Sequence, residues 1–380
     1  MAGGTIERMD RYIGLMSGTS LDGVDGVLVS FADGAAPLRV HAHSYRPFDT
    51  RLRAELLALN TKGADELHRA ALAANALVDS YAAIVDKLLV RAEVHRQDVR
   101  AIGAHGQTVR HRPGEFDGIG YTLQLNAPAL LAERSGIDVV ADLRSRDVAA
   151  GGTGAPLVPA FHRAVFGQTG ASRCVLNLGG IANLTVLHGD GRTTGFDCGP
   201  ANALMDLWCK QETGKEFDAD GAWAASGDVV APLLQAMEAE PYFDRRPLKS
   251  TGRDLFNADW LSGHLAAHPT KERPQDIQAT LSELTARACA RDIERHAADA
   301  QSLLVCGGGA LNADLMQRIS RRLPRLAVSA SDAFGLPATQ VEACAFAWLA
   351  RAFVERQPGN VSSVTGARGP RILGALYPAG

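Results

Sequence analysis

The sequence lacks long apolar runs and an excess of charge of either sign. Nowhere in its 380 residues do about 18 uncharged apolar residues follow one another, the length that a membrane-spanning helix needs. Residues 1–11 carry charges and no apolar stretch of signal-peptide length. The formal net charge of −3 gives no basic field that would hold nucleic acid or an anionic membrane. These absences predict a soluble, cytoplasmic protein.

Cysteine is scarce and scattered. The six cysteines form no Cys-x-x-Cys pair and no Cys/His cluster at zinc spacing. Cys306, for example, ends the apolar run from Leu303 and is expected to pack as a small core residue. Such usage fits a reducing compartment and argues against a zinc site.

The residues that are present predict an α/β protein of two domains. Single cores rarely grow beyond about 250–300 residues, so a chain of 380 residues predicts two. Strand patterns alternate with helical patterns in both halves, which indicates mixed sheets. The clearest helices are expected at residues 66–94, 277–298 and 340–355, and Thr280-x-x-Glu283 is expected to form a capping box.

Two segments about 160 residues apart resemble each other. Residues 12–29 and 174–187 each contain an apolar strand, a turn of small polar residues and a returning apolar strand. We therefore expect two halves of related architecture.

The first of these turns is Ser17-Gly-Thr-Ser-Leu-Asp-Gly23. Glycines allow close approach of an anion, hydroxyls can donate to phosphate oxygens, and Asp22 or Asp25 could hold hydrated Mg²⁺. A hairpin turn that merely satisfies turn geometry is the alternative. No Gly-Lys-Ser/Thr follows, so the segment is not a Walker loop.

Two glycine turns follow apolar strands later in the chain, Asn177-x-Gly-Gly-Ile-Ala-Asn183 and Gly307-Gly-Gly-Ala-Leu-Asn312. A strand that ends in Gly-Gly is a place where a ligand or another backbone comes close. The second turn lacks the Gly-x-Gly-x-x-Gly spacing of a dinucleotide site. Together the three turns favour a nucleotide cleft between two domains.

Several charged residues are candidates for chemistry. Asp197 lies between Phe196 and Cys198, where partial desolvation would make it a usable general base; capping a helix that begins near Asn202 is an equally weighted alternative. Arg144 and Arg146 could bind a substrate carboxylate or form an exposed ion-pair cluster.

Two further residues belong to this group of candidates. His105 is expected to hydrogen-bond near a loop, and contact with sugar is the alternative. Glu342 is the one acid in the apolar segment 341–350, so it either faces solvent or accepts sugar hydroxyls.

These blocks resemble the signatures of the anhydro-N-acetylmuramic acid kinases. They run in that family's order from residue 12 to the C-terminal Leu-Gly-Ala-Leu-Tyr-Pro378, so the resemblance covers nearly the whole chain. The blocks are Gly14-Leu-Met-Ser-Gly-Thr-Ser-Leu-Asp-Gly-Val-Asp25, His105-Gly-Gln-Thr108, Asp147-Val-Ala-Ala-Gly-Gly-x-Gly-Ala-Pro-Leu-Val-Pro159, Asn177-x-Gly-Gly-x-x-Asn183, Phe196-Asp-Cys-Gly-Pro200 and Cys306-Gly-Gly-Gly-Ala310.

The resemblance implies an actin-like (ribonuclease H-like), two-lobed kinase fold with ATP and Mg²⁺ between the lobes. We expect an N-terminal lobe at 1–150 and a C-terminal lobe at 151–380, whose last helix is free to pack back on the first lobe. The implied reaction opens the 1,6-anhydro ring of anhydro-N-acetylmuramic acid with water and phosphorylates O6, in cell-wall recycling. A homodimer is implied as well.

The resemblance also implies roles for particular residues. Asp197 is the catalytic base, Arg146, Glu342 and His105 contact the sugar, and Asp22 and Asp25 hold Mg²⁺ through water. ATP is expected to contact the following residues of the first loop and the two glycine turns: Ser17, Gly18, Thr19, Ser20, Leu21, Asp22, Gly23, Val24, Gly179, Gly180, Gly307, Gly308 and Gly309.

The sequence departs from the family pattern at two places. Ala201 stands where the family usually has glycine, and Asn126-Ala127 stand where Gly followed by Asp or Asn is common. Three alternatives to the implied function remain open: an actin-fold kinase for another sugar or small acid, a non-catalytic nucleotide-binding module, and a nicotinamide enzyme built on the Gly307 turn.

Overall fold

The computed structural model describes residues 10–18, 20–32, 38–247, 249–252, 254–268 and 272–380. The described chain divides into two compact units. Unit 1 contains the described residues up to Phe161 together with Gln340–Gly380, and unit 2 contains His162–Thr339. This division differs in two ways from the expected one, which placed a single boundary after residue 150. The first boundary lies after Phe161, and the C-terminal segment returns to the first unit. The sequence pattern had left that return open for the last helix.

The helices and strands alternate along the chain as expected for an α/β protein. The strands are β1 (Arg11–Met16), β2 (Gly23–Phe31), β3 (Leu38–Pro47), β4 (Val99–Ala104), β5 (Gln107–Pro113), β6 (Gly120–Leu125), β7 (Val139–Ala141), β8 (Ser172–Leu178), β9 (Ile181–Leu187), β10 (Thr193–Pro200), β11 (Ala300–Cys306), β12 (Ala327–Ala330) and β13 (Ala375–Tyr377). The helices are α1 (Thr50–Ala58), α2 (Glu66–Ala92), α3 (Pro128–Ser135), α4 (Ser145–Ala149), α5 (Val158–Phe166), α6 (Asn202–Thr213), α7 (Ala222–Ala225), α8 (Ala231–Glu238), α9 (Ala258–Ala267), α10 (Pro274–His296), α11 (Ala313–Arg322), α12 (Val341–Val354) and α13 (Ser362–Thr365).

The sheet of unit 1 has the strand order β13-β7-β4-β1-β2-β3. Strands β1, β2 and β3 form an antiparallel meander, and β4 and β7 then continue the sheet in parallel with β1. Strands β5 and β6 form a separate hairpin.

The sheet of unit 2 repeats this plan with the order β10-β9-β8-β11-β12. Its first three strands are again an antiparallel meander, and β11 and β12 run parallel to β8. Both sheets therefore place their first five principal strands in the order third, second, first, fourth, fifth. The expected repeat and the expected fold class are confirmed, since an actin-like chain contains this ribonuclease H-like unit twice.

Two glycines let α12 lie directly on the sheet of unit 1. Gly14 on β1 and Gly103 on β4 are neighbours in the parallel register. A methyl group added at Gly14 would lie 1.9 Å from the carbonyl oxygen of Ala343, and one at Gly103 would lie 2.0 Å from that of Phe346. Helix and sheet backbones therefore approach more closely than any side chain would allow.

The other face of this sheet carries the main apolar core of unit 1. Ile13 and Leu15 alternate with Gly14 along β1, so they point to the face opposite α12. They pack in one buried cluster with Leu77 and Ile84 of α2. The helical periodicity seen in the sequence at 66–94 is thus confirmed, and α2 ends at a left-handed Glu93.

Helix α10 is the central buried helix of unit 2, and its start differs from the expected one. The helix begins at Pro274, and its capping box joins Arg273 to Asp276. Thr280 lies inside the helix, where its hydroxyl donates to the carbonyl oxygen of Asp276 at 2.7 Å. The expected capping box at Thr280 and Glu283 is therefore wrong.

In the described part of the chain, no helix is long and apolar enough to cross a bilayer.

The contact between α12 and the sheet predicts a strong effect of Gly103→Ala. The added methyl would meet helix backbone, which cannot move aside as a flexible side chain can. Overpacking of this kind costs about 3 kcal/mol, and thermal or denaturant unfolding would measure the loss.

Gly263→Ala is the matched control, because Gly263 lies inside α9 with no heavy atom within 4 Å of the new methyl. It should stabilise the protein slightly, since alanine is the better helix former. Equal unfolding temperatures for the Gly103 variant and the unchanged protein would contradict this account of the packing.

Candidate active site

The first candidate loop connects β1 to β2 in unit 1. The buried Ser17 hydroxyl donates to the carbonyl oxygen of Gly106 at 2.9 Å, so it points into the unit. The carbonyl oxygen of Gly18 accepts hydrogen bonds from the side-chain amide of Gln107 at 3.1 Å and from the backbone N–H of Leu21 at 3.2 Å. The loop is therefore fixed from its inner side. Thr19 lies outside the described residues.

Only part of this loop faces outward. Leu21 and Val24 are buried in the core, and a methyl group at Gly23 would lie 2.3 Å from the carbonyl oxygen of Arg46. Gly18 differs, because a methyl group there would have ordinary contact distances. The nearest atom would be the Ser20 hydroxyl oxygen at 3.7 Å. Among the described residues of the loop, Gly18, Ser20 and Asp22 face outward.

The two aspartates expected near a metal ion have protein partners. Oδ1 of Asp25 lies 3.0 Å from Nε2 of His43, and Oδ1 of Asp22 lies 3.8 Å from Nη2 of Arg53. Among the described residues no three His, Cys, Asp or Glu side chains cluster as a metal site. Unit 1 therefore builds no metal cage of its own at these residues.

His105 joins the first loop to Arg144. Its Nδ1 donates to the carbonyl oxygen of Ser17 at 3.0 Å, and its Nε2 accepts from Nε and Nη2 of Arg144 at 3.2 and 3.0 Å. Burial lowers the pKa of His105 to about 3, so the ring is neutral and can accept from the arginine. Both ring nitrogens are thus engaged within the protein, and His105 positions Arg144.

Glu342 stands in the first turn of α12, close enough to Arg144 for their charges to interact. Burial raises the pKa of Glu342, and the positive charge of Arg144 opposes that rise. Arg144 also donates to the carbonyl oxygen of Gly154 at 2.8 Å. In unit 1 a half-buried carboxylate thus lies within the range of charge interaction of a positioned guanidinium.

Arg146 takes a different position from Arg144. It lies exposed on the short helix α4, whereas Arg144 is half-buried. The segment is anchored by the fully buried Asp147, which the sequence analysis did not single out. Its carboxylate accepts from Asn360 at 2.7 Å, from the Thr365 hydroxyl at 2.8 Å and from the N–H of Gly154 at 2.8 Å.

The departure at Asn126-Ala127 falls beside this group of residues. Both polar atoms of the Asn126 side-chain amide are buried and have no hydrogen-bond partner within the described chain. A methyl group at Gly106 would lie 3.3 Å from Cβ of Asn126, so the amide is next to the loop that receives the Ser17 hydroxyl. An unsatisfied buried amide is costly unless a ligand or water completes it.

The two glycine turns of unit 2 come together. They follow β8 and β11, which are parallel neighbours, so both turns lie at the carboxyl end of the sheet. The carbonyl oxygens of Gly179 and Gly180 accept from the N–H groups of Asn202 and Ala201, each at 3.0 Å.

The glycines of the second turn are held close to the first. Gly307 has φ +81° and would clash with Leu178 if it carried a side chain, as would Gly309. Gly308 is more open, with the Asn202 amide nitrogen at 3.8 Å from an added methyl. Ala201, which stands where the family pattern usually has glycine, has φ −122° and ψ −113°, and its side chain is buried.

Asp197 lies inside β10, next to an irregularity in its pairing with β9. Oδ1 accepts from the Asn183 amide at 2.6 Å, and Oδ2 accepts from the Ser250 hydroxyl at 3.1 Å and from the N–H of Thr251 at 3.0 Å. Helix α6 has no side-chain cap. The alternative of a helix cap is therefore wrong.

The electrostatics of Asp197 suit a base. Burial raises the pKa of Asp197, while the hydrogen bonds from Thr251, Ser250 and Asn183 and the charge of Lys249 oppose that rise. Burial thus leaves this carboxylate with a higher affinity for a proton than an exposed aspartate has.

Sequence reasoning did not find the segment 249–251 that holds Asp197, nor the role of His105 toward Arg144. Asn183 was part of a quoted motif, but its partner Asp197 lies 14 positions away. Arg144 lies 39 positions from His105, and Thr251 lies 54 positions from Asp197, so no local sequence pattern links these partners.

Comparison with known proteins connects this geometry to a family. The model of the family described as "Anhydro-N-acetylmuramic acid kinase" matches residues 10–379. The anhydro-N-acetylmuramic acid kinase of Variovorax paradoxus is 59% identical over 375 residues, covering 97% of this chain and 99% of the relative. That of Albidiferax ferrireducens is 58% identical over 390 residues, covering 97% and 100%.

Among solved structures, the activator of the 2-hydroxyisocaproyl-CoA dehydratase from Clostridium difficile matches with a TM-score of 0.46 and 13% identity, covering 91% of this chain and 96% of that one. This similarity is too low to support a conclusion about function. The family model and the close relatives agree with each other over almost the whole length of the sequence. The chain belongs to the anhydro-N-acetylmuramic acid kinase family.

Proposed function

We propose that the protein uses ATP and water to convert 1,6-anhydro-N-acetylmuramic acid into N-acetylmuramic acid 6-phosphate and ADP, in the recycling of cell-wall peptidoglycan. The observation that carries the proposal is the carboxylate of Asp197. In a chain of this family, three donors orient that carboxylate and burial raises its pKa. A general base needs this combination of fixed orientation and proton affinity.

In the proposed reaction Asp197 takes a proton from a water molecule as the water oxygen forms a bond to C1 of the sugar. The bond between C1 and the bridging O6 breaks, and its electron pair stays on O6. O6 then forms a bond to the γ-phosphorus of ATP, and the bond from that phosphorus to the β-γ bridging oxygen breaks to release ADP. One proton is released per turnover, and one base serves both coupled bond changes.

The ATP phosphates are assigned to the loop Ser17–Val24 and to the turns Gly179–Gly180 and Gly307–Gly309. Gly18 supports this assignment, because the space beside its Cα is open. Mg²⁺ usually binds through one or two carboxylates together with the substrate phosphates, so the absence of a cage among the described residues fits an ion that arrives with ATP. Asp22 and Asp25 are proposed to hold it through water.

The sugar is assigned to Glu342, Arg146 and Arg144. A carboxylate accepts hydroxyl hydrogen bonds, and a guanidinium pairs with the lactyl carboxylate of a muramic acid in forked geometry. His105 contributes by holding Arg144, because both of its ring nitrogens already have protein partners. A cytoplasmic homodimer is proposed from the family resemblance.

The first prediction tests the substrate. ADP release, followed by a coupled enzyme assay, should depend on 1,6-anhydro-N-acetylmuramic acid when a panel of amino sugars, hexoses and small acids is supplied with Mg²⁺-ATP. N-acetylglucosamine, which lacks the lactyl carboxylate and the anhydro bridge, should give the background rate. If the enzyme preferred another member of the panel, that compound would be assigned as the substrate, and the assignment as a kinase would remain.

A crossed pair of variants should separate the two ligands. Gly18→Val fills the open space beside the loop and should raise the KM for ATP about tenfold, as expected for a loss of about 1.4 kcal/mol. Glu342→Gln removes a charged acceptor and should raise the KM for the sugar by about tenfold to a hundredfold.

Each variant is the control for the other, since the KM for the second ligand should stay within about twofold. Steady-state kinetics with both ligands varied will measure this. Ordinary ATP kinetics in Gly18→Val would mean that the first hairpin is only structural. Equal losses of both ligands in Glu342→Gln would indicate a role in folding.

Asp197→Asn should fold and bind both ligands but lose turnover by about 10²–10⁴-fold or more, because asparagine is nearly isosteric and cannot accept the proton. In the unchanged enzyme kcat/KM should fall as the pH drops through the raised pKa of Asp197, since the base acts only when ionised. Turnover in ¹⁸O-water should place the label on the anomeric hydroxyl, read promptly because reducing sugars exchange there. Near-normal turnover of the Asn variant would sink the mechanism.

A further inference from the structure

Unit 2 contains a buried ion pair that the proposed reaction does not use. Nζ of Lys249 lies 2.8 Å from Oδ2 and 3.1 Å from Oδ1 of Asp292 on α10. The two side chains are only 1% and 2% exposed. Lysine and aspartate are almost never buried to this extent unless they are paired, and such a pair offsets its lost hydration only in good geometry.

Aromatic rings complete the surroundings of the lysine. Its Nζ lies 5.2 Å from the centre of the Tyr242 ring and 5.8 Å from that of Phe196, within the range of a cation–π interaction. Phe196 is the residue immediately before Asp197. The ammonium group is thus held by a carboxylate and by two rings, one of which belongs to the strand of the proposed base.

The same residues hold the backbone of Asp197. The N–H of Asp197 donates to the carbonyl oxygen of Lys249 at 3.1 Å, and the Tyr242 hydroxyl donates to the carbonyl oxygen of Asp197 at 2.7 Å. The next two residues after Lys249 are Ser250 and Thr251, whose donors contact the Asp197 carboxylate. A fixed Lys249 therefore fixes both the backbone and the carboxylate of Asp197.

The pair also contributes charge close to Asp197. The positive charge of Lys249 favours the ionised form of this carboxylate, and Asp292 partly cancels that charge. Burial raises the pKa of Tyr242, and a hydrogen bond with Cys289 together with burial raises the pKa of Cys198, so both are neutral. Among the described residues, the titratable or charged groups near Asp197 are Lys249, Tyr242, Arg245, Cys198 on β10, and Asp292 and His296 on α10.

We propose that Lys249 and Asp292 are positioning residues for the reaction, which hold the donors of segment 249–251 against Asp197. A buried pair that served the core alone would sit equally well elsewhere in unit 2. In this pair, instead, Lys249 immediately precedes the two donor residues Ser250 and Thr251 and contacts the ring that precedes the base. The inference rests on the proposed role of Asp197 as the base.

The test measures kcat, both KM values and the pH profile of kcat/KM for two single variants. Lys249→Met removes the positive charge that favours the ionised form of Asp197, and this loss should raise the pKa of Asp197. The acidic limb of the kcat/KM profile should therefore move up by about one pH unit. Asp292→Asn leaves the lysine uncompensated and should move the limb down. In both variants kcat should fall at least about tenfold with KM values within about twofold, because positioning of a base acts on the chemical step.

Opposite shifts of the limb are the result that a purely structural role would not produce. Lys249→Arg keeps the charge and should leave the limb in place. Arg318→Met is the matched control, since Arg318 belongs to another ion cluster of unit 2, at 3.1 Å from Glu283 and 2.7 Å from Asp314. It should change neither kcat nor the limb.

Two outcomes would overturn the proposal: an unshifted limb in folded single variants, or shifts in the same direction. If the single variants do not fold, the double variant Lys249→Met/Asp292→Leu replaces the pair with apolar groups, a change that proteins often tolerate. A tenfold loss of kcat at unchanged KM in the double variant supports the proposal, and an unchanged kcat overturns it. Asp197→Asn distinguishes failure of this proposal from failure of the proposed function. Near-normal turnover of that variant would mean that Asp197 is not the base.

Discussion

The packing of α12 on the sheet of unit 1 is the contact on which the rest of that unit depends. Only glycine at positions 14 and 103 leaves room for the backbone of the helix. Because the helix lies so close, its first turn brings Glu342 near Arg144. The chain beyond the helix then supplies Asn360 and Thr365, which hold Asp147 and so the segment that carries both arginines.

Unit 2 uses the same strand order for a different purpose. Its parallel strands β8 and β11 end in glycine turns, and its third strand carries Asp197. Unit 1 fixes its polar residues through a close-packed helix. Unit 2 fixes Asp197 through hydrogen bonds from segment 249–251, whose first residue, Lys249, is held by a buried ion pair with Asp292. Each unit thus holds its candidate site residues in place through buried contacts.

Local patterns predicted much of the fold, because hairpins and amphipathic helices are recorded in neighbouring residues. The first hairpin and α2 were found in this way. The return of residues 340–380 to unit 1 was left open for the last helix only, since it depends on two glycines that lie 89 positions apart and on a helix far from both. Asp197 was recognised, but its helix-cap alternative could be removed only when its partners at 183, 250 and 251 were seen.

The discontinuity of unit 1 has a consequence for its synthesis on the ribosome. Residues 162–339 form a continuous unit that can fold as soon as it emerges, whereas unit 1 lacks α12 until residue 341 and beyond have been made. At about 5–20 residues per second, unit 2 alone takes roughly 10–35 s to synthesise, and the glycine-lined face of the first sheet stays uncovered for at least that time. Unit 1, which begins the chain, is therefore the last unit to be completed, and until then the face of its sheet that α12 covers has no partner.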